Sequence, residues 1–180
     1  MQDKIAADSM EVEWLLRLYQ LQADVEREPE KAGPWAVLAD YLSRKGRQKE
    51  ALAAYSEALA LEANSPDLLT KRAAIRLEMD QFQEAIEDCT RAVEAGAGRT
   101  AWSIRGDAWL KLGQADRALG DYELAMRIDE QVGEAFLLRA AQRVKTRDFE
   151  MARADLDQAR ALAPKLEARI RELLKSIPDQ

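Results

Sequence analysis

Histidine is absent from the 180 residues, and cysteine occurs once. Without histidine, the commonest side chain for acid–base catalysis, pH sensing and metal ligation is missing. A lone cysteine excludes an internal disulfide framework, and with it a disulfide-held secreted module. Aromatic residues make up only 6% of the chain, so any core must be built mainly from aliphatic and small side chains. No apolar run reaches the roughly 18 residues that a bilayer-spanning helix needs. Met1–Ser9 lacks the apolar centre of a signal peptide, which leaves a cytoplasmic placement as the default expectation. Positive charge is not in excess: 27 Lys and Arg face 33 Asp and Glu, for a net charge of −6. That balance argues against a nucleic-acid partner, whose binding rests on neutralising phosphates. β-Branched residues are few and nothing alternates with period two, so strands are not expected.

What is present is a repeat. Glu50-Ala51, Glu84-Ala85, Arg117-Ala118 and Met151-Ala152 recur about every 34 residues, with one residue lost before Arg99. Seven residues after each of these alanines stands another: Ala58, Ala92, Ala125 and Ala159. Upstream, a large apolar residue precedes a small one by four positions: Trp35/Ala39, Leu69/Ala73, Trp102/Gly106 and Phe136/Ala140. Each unit reads as two helices. The first covers Pro34–Lys45, Pro66–Met79, Arg99–Leu112 and Gly133–Thr146. The second covers Gln48–Leu61, Phe82–Ala95, Ala115–Ile128 and Phe149–Leu162. Turns fall at Gly46, Asp80-Gln81, Gly113 and Arg147-Asp148. Ser65-Pro66 has the form of a cap followed by proline in the first helical turn. The small residues allow paired helices to cross closely, and Trp35, Trp102 and Phe136 fill the space between units.

This pattern resembles the tetratricopeptide repeat family, whose motif runs Trp-x2-Leu-Gly-x2-Tyr, Ala-x3-Phe and Pro. Trp35, Leu38, Ala39, Ala51, Tyr55 and Ala58 match it in the first unit. Trp102, Gly106, Trp109, Ala118, Tyr122 and Ala125 match it in the third. Phe136, Ala140, Ala152, Leu156 and Pro164 match it in the fourth, and the second diverges most, with Leu69 and Cys89 at the aromatic positions. The resemblance covers residues 32–164 and implies an all-α fold, a right-handed α-solenoid. Its units would be 32–65, 66–98, 99–132 and 133–164, with flanking helices in 1–31 and 165–180.

One pair of positions departs from the motif. Arg72, Arg105 and Arg139 stand where the motif has Leu, and each is followed sixteen residues later by an acid: Asp88, Asp121 and Asp155. The first unit has Leu38 and Ala54 there, so the two charges come and go together. The expectation is a partly buried Arg–Asp pair linking the helices of each of these units. The alternative, three arginines lining a carboxylate-binding groove, is disfavoured because each Arg has its own acid.

At the C-terminal end, Lys165–Ser176 reads as an amphipathic cap, with Leu166, Ile170, Leu173 and Ile177 inward and Lys165, Arg169, Glu172 and Lys175 outward. The N-terminal helix starts near Asp8-x-x-Glu11 and stops at Pro29. It carries two apolar stripes: Val12, Leu15, Leu16, Tyr19 and Ala23 on one side, and Trp14, Leu18, Leu21 and Val25 on the other. One can pack on the first unit. The other needs a separate partner, and Trp14, Leu18, Leu21 and Val25 are taken as the candidate self-association surface, with a homo-oligomer as the outcome. A missing upstream helix and Met1–Asp8 folding back are the competing explanations.

The resemblance implies a binding role with a protein or peptide partner, on a concave groove lined by the first helices. Carried over residue by residue, the candidate lining is Asp40, Arg44, Lys71, Leu77, Asp107, Leu110, Lys111, Leu137, Val144 and Lys145. Leu77, Leu110 and Val144 form an apolar track flanked by Lys111 and Lys145, suited to a peptide or amphipathic helix with some acidic character. Chaperone-binding members of the family hold a terminal carboxylate with Lys, Asn and Arg. The matching positions here are Ala36, Asp40, Lys71, Thr100 and Ile104, or one unit on, Thr70, Ala74, Ile104, Glu134 and Leu138. Neither set supplies that clamp.

Catalytic chemistry is not in view. Cys89 stands at a core position and has no base beside it in the motif. Gly96-Ala97-Gly98-Arg99-Thr100 lacks the lysine and the preceding strand of a phosphate-binding loop. Asp155 and Asp157 point in different directions on one helix, and no metal or cofactor constellation is present. The expected function is a non-enzymatic interaction scaffold, with self-association as the alternative.

Overall fold

Helical periodicity with a glycine or polar break after every dozen residues produces helix hairpins. The computed structural model describes residues 2–178, with side chains from residue 12 onward. Its helices are α1 (Gln2–Arg27), α2 (Ala32–Arg44), α3 (Gln48–Leu61), α4 (Pro66–Glu78), α5 (Phe82–Glu94), α6 (Arg99–Lys111), α7 (Ala115–Ala125), α8 (Glu130–Lys145), α9 (Phe149–Leu162) and α10 (Glu167–Leu174), the last preceded by a 3₁₀ turn at Pro164–Leu166. Among the described residues there is no strand. The pairs α2/α3, α4/α5, α6/α7 and α8/α9 pack antiparallel and stack in chain order, forming an α-solenoid. α1 covers one end and α10 the other. α1 begins at Gln2, earlier than the Asp8 start expected, and the side chains of Asp8 and Glu11 lie outside the described residues.

Every hairpin turns in the same way. Gly46, Asp80, Gly113 and Arg147 each take a left-handed conformation, with φ of 73°, 59°, 75° and 64°. The amide that follows each donates back across the helix end: Arg47 to Leu42, Gln81 to Arg76, Gln114 to Trp109 and Asp148 to Arg143. This closure satisfies carbonyls that the helix would leave open. Caps are less uniform. Asp129 and Asp148 accept from the amides of Val132 and Met151. Ser65 occupies the cap position of α4 in extended form, but its hydroxyl makes no cap bond.

The hairpins close on small residues. Ala39, Ala51, Ala73, Ala85, Ala118, Ala140 and Ala152 are fully buried. At Gly106 an added Cβ would lie 2.7 Å from the Tyr122 ring and 3.3 Å from the Ala118 carbonyl, so the α6–α7 crossing requires glycine.

The expected ion pairs form. Arg72 grips Asp88 through Nε and Nη2 at 2.8 and 2.7 Å. Arg105 holds Asp121 at 2.8 Å through both nitrogens, and Arg139 holds Asp155 at 3.0 and 2.7 Å. The three aspartates are buried. Arg76 and Arg143 add second contacts of 2.6 Å to Asp88 and Asp155. In the third hairpin Trp109 takes that place instead, with Arg117 stacked on it at 4.6 Å. Arg72 and Arg105 also donate to Ser56 and Thr90 on the preceding hairpin, at 3.1 Å each, so one side chain ties two helix pairs together.

One hairpin is irregular. α7 has 11 residues where α3 and α9 have 14. Met126 turns left-handed at φ 57°, and α8 starts early and runs for 16 residues. A turn expected at the end of α7 has moved to the start of α8, so the expected limits Ile128 and Gly133 are both displaced. Asp129 caps the lengthened helix, and Gly133 fits because a Cβ there would come within 2.6 Å of the Ala163 Cβ.

Breaking one buried pair strands its partner. Asp121→Ala is expected to lower the unfolding free energy by about 3–5 kcal/mol. Arg105→Leu with Asp121→Ala installs the Leu38/Ala54 combination of the first hairpin and is expected to recover most of that loss. Urea unfolding followed by circular dichroism checks both.

Candidate functional site

The exposed edges of α2, α4, α6 and α8 form the concave face, and its polar residues fall into two sets. In the first, the buried Tyr55 donates to Asp40 Oδ1, and Lys71 Nζ reaches Asp40 Oδ2 and Asp67 Oδ2 at 3.1 Å each. In the second, Tyr122 donates to Asp107 Oδ1 at 2.8 Å, and Arg127 reaches the same oxygen at 2.7 Å. Arg127 also donates to Ser103 at 3.0 Å and Asp129 at 2.7 Å, and stacks on the Tyr122 ring at 4.6 Å. Burial, reinforced by the neighbouring aspartates, pushes both phenols far above their ordinary range, so they remain donors. Burial alone would lower the Lys71 ammonium, but its bonds to Asp67 and Asp40 raise it.

Asp40, Lys71 and Asp107, picked from the sequence as groove residues, are therefore already partnered. The signal for this was present in the repeat. Asp40/Tyr55 and Asp107/Tyr122 share a spacing of fifteen, whereas the other hairpins carry Ala74/Cys89 and Ala141/Leu156. Leu138 stands at the place of Lys71, so in the second set Arg127 supplies the cation from the loop after α7.

That exchange leaves an apolar floor. Leu77, Leu110 and Leu138 line a concave pocket of about 620 Å³ together with Asp107, Lys111, Glu130, Gln131, Glu134 and Arg169. The acids on its far wall are engaged: Glu130 with Lys165 at 3.0 Å and Glu134 with Arg169 at 3.8 Å. Lys111 and Lys145 are exposed and form no ion pair among the described residues. They place positive charge along this edge.

Other expected positions are corrected. Leu137 is buried in a cluster with Leu166, Ile170 and Ile177, and Val144 packs against the same cluster. Leu137 nevertheless lines a pocket with Leu138, Ala141 and Leu173 that adjoins the first one, whereas Val144 is drawn into the core of the C-terminal cap. Arg44 is exposed and lies outside the pocket. The self-association stripe is also corrected. Leu18, Leu21 and Val25 are buried on the first hairpin with Trp14 packed beside them, and Tyr41 donates to the Trp14 carbonyl at 2.8 Å. The opposite stripe, Val12, Leu15, Leu16 and Tyr19, faces outward, with Tyr19 73% exposed. Both stripes are apolar and of similar side-chain size.

Cys89 is fully buried, and burial pushes its thiol up to about 12. Among the described residues no group of three or more metal-ligating side chains occurs, and no helix is long and apolar enough to cross a membrane.

Comparison with known proteins agrees with this geometry. A family model described as a tetratricopeptide repeat matches residues 32–65, the first hairpin. Residues 32–65 are thus a tetratricopeptide repeat, and the chain is similar to proteins built of such repeats. Hsp70-Hsp90 organizing protein 1 of Glycine max is 31% identical over 130 residues, covering 68% of this chain and 22% of that protein. Hsc70-interacting protein 1 of Drosophila melanogaster is 30% identical over 99 residues, covering 54% of this chain and 26% of that protein. The chain thus spans about a quarter or less of these relatives' lengths. Among solved structures, a tetratricopeptide repeat protein of Parabacteroides merdae superposes with a TM-score of 0.66 at 18% identity, covering 97% of this chain and 72% of that one. YrrB, described as having an unusual peptide-binding site, superposes with a TM-score of 0.59 at 21% identity over 80% of this chain and 75% of that one. At these identities the likeness concerns the fold.

A thiol held so far from ionisation is unreactive. Cys89 in the native repeat protein is expected to resist alkylation by iodoacetamide at pH 8 and to label fully in urea. Mass spectrometry distinguishes the two states, and rapid native labelling would contradict the burial described.

Proposed function

We propose that the chain is a non-enzymatic scaffold that holds a peptide or helix of a partner protein in its concave groove. Members of this family are in general protein-interaction scaffolds. The observation that carries the proposal is the 620 Å³ pocket, where Leu77, Leu110 and Leu138 lie beside the unpaired Lys111. An apolar floor with a positive edge suits a segment that alternates apolar and acidic residues, the apolar side chains supplying affinity and the acids setting register. The groove continues past this pocket along Leu138, Ala141, Arg169, Glu172 and Leu173, which gives room for more than one turn of helix.

The names of the relatives suggest chaperones as partners, but the positions that would form a carboxylate clamp do not support that reading. Ala36, Thr100 and Ile104 cannot provide its charges, and Asp40 and Lys71 neutralise each other at 3.1 Å. A second reading, self-association, is favoured by the outward stripe of Val12, Leu15, Leu16 and Tyr19 on α1.

Leu110→Asp with Lys111→Glu is expected to abolish capture of partner proteins; because Leu110 also packs against the Tyr122 and Val132 cluster, Lys111→Glu alone, which should weaken capture at an unchanged thermal midpoint, separates lost binding from lost folding. Retention of the same proteins by parent and variant sinks the groove reading. An acidic peptide ending in a free carboxylate, of the chaperone-tail kind, is expected to show no micromolar binding by calorimetry. For the second reading, Leu16→Glu with Tyr19→Glu should reduce the solution mass if the parent is a dimer, and an unchanged monomer mass for both rules it out.

A further inference from the structure

Gly120 lies in the interior of α7, yet nothing in the fold asks for glycine there. Its φ is not positive, and an added Cβ would meet no atom within 4 Å. An exposed glycine inside a helix costs about 0.5–1 kcal/mol relative to alanine. The equivalent positions in the other hairpins are Ala53, Glu87 and Ala154. Gly106 and Gly133 are explained by contacts that a side chain would violate, and Gly46, Gly96 and Gly113 by left-handed backbones. Gly120 has neither reason.

What Gly120 does is leave a pocket open. A cavity of about 560 Å³ lies between α7 and α9 over α8, on the opposite side of α8 from the concave pocket and sharing no lining residue with it. Its apolar lining comes from Leu119, Ile128, Val132, Phe136 and Leu162. The shortening of α7 exposes further apolar surface beside it. Ile128 is 82% and Met126 66% exposed, whereas Leu59, at the place of Met126 in the first hairpin, is 6% exposed.

The charge around this cavity is also one-sided. Arg127 and Arg139 line it but are committed to Asp107, Asp129 and Asp155. Glu123 forms no ion pair among the described residues, and Asp116 is 75% exposed with only a 3.4 Å contact to Arg139. α7 has no basic residue in its last turn, so the negative end of its dipole is not offset from within the helix.

We propose that this cavity is a second interaction site, which receives one turn of an amphipathic helix from a partner protein, with apolar anchors against Leu119, Val132 and Phe136 and basic residues toward Glu123, Asp116 and the end of α7. Gly120 lets the partner helix approach the α7 backbone. The site has its own lining residues, apart from those of the concave groove.

Gly120→Leu plugs the cavity from a position where the fold has room, and it replaces a weak helix former by a strong one, so the thermal midpoint should hold or rise. The probe is a displayed library of 14-residue helical peptides selected against the full chain carrying Lys111→Glu. The expected result is enrichment of peptides with apolar residues three or four apart flanked by Lys or Arg, which bind the parent equally well. Gly120→Leu should weaken their binding at least tenfold. Enrichment of acidic peptides, binding indifferent to Gly120→Leu, or no enrichment at all overturns the proposal. So does a dimer of the parent that Gly120→Leu dissolves, since the occupant would then be a second copy.

Discussion

The array depends on helices that cross at the contact distance of alanine and glycine. With Ala or Gly at both sides of each crossing, the backbones come so close that a single added carbon at Gly106 would enter the Tyr122 ring. Close crossing brings dispersion contacts along the whole seam, but it leaves few large side chains to specify which helix meets which. Specificity has therefore moved to polar groups. The bidentate Arg–Asp pairs fix both the separation and the rotation of their two helices, because a guanidinium fork meets a carboxylate well in only one plane. Through Ser56 and Thr90 the arginines of the second and third hairpins also set the stacking on the preceding pair.

A second polar system alternates with this framework. Tyrosine, aspartate and a cation join in the first and third hairpins, while the second and fourth have small or apolar residues throughout the same places. The two versions share one geometry but differ in what they present to the concave face. Where Lys71 completes the set, the face is charged and its groups are partnered with one another. Where Arg127 completes it from a loop, position 138 becomes leucine and the groove floor becomes apolar. The same αL residue that sends Arg127 inward turns Met126 and Ile128 outward. One local backbone change thus shapes both cavities that flank the junction of the third and fourth hairpins.

Much of the fold was legible along the chain. The hairpins, their turns, the alanine crossings, the Arg–Asp pairs and the buried Cys89 all depend on repeated spacings, and repetition within one chain substitutes for comparison between chains. The displaced turn at Met126 was not legible, because it preserves the 34-residue period and is decided by Arg127 finding Asp107 across the groove. The candidate site was read less well. Lys71 and Asp107 looked available because their partners, Asp40 and Arg127, come from a neighbouring hairpin and from the loop after α7. Val144 looked like groove lining because its burial is due to the cap.

The amino-acid sequence by itself determined the unit: a helix pair closed on small residues, repeated at fixed period and capped at both ends. Those properties are set by contacts between residues at constant separation, which a one-dimensional pattern records. Only the tertiary structure decided which surfaces remained free. α1 carries two apolar stripes of similar hydrophobicity, and periodicity cannot rank them. Packing buried Leu18, Leu21 and Val25 because the larger contact with the first hairpin was available on that side. The polar groups followed the same logic, since whether a lysine or an aspartate is a binding group depends on what stands opposite it after the chain has folded.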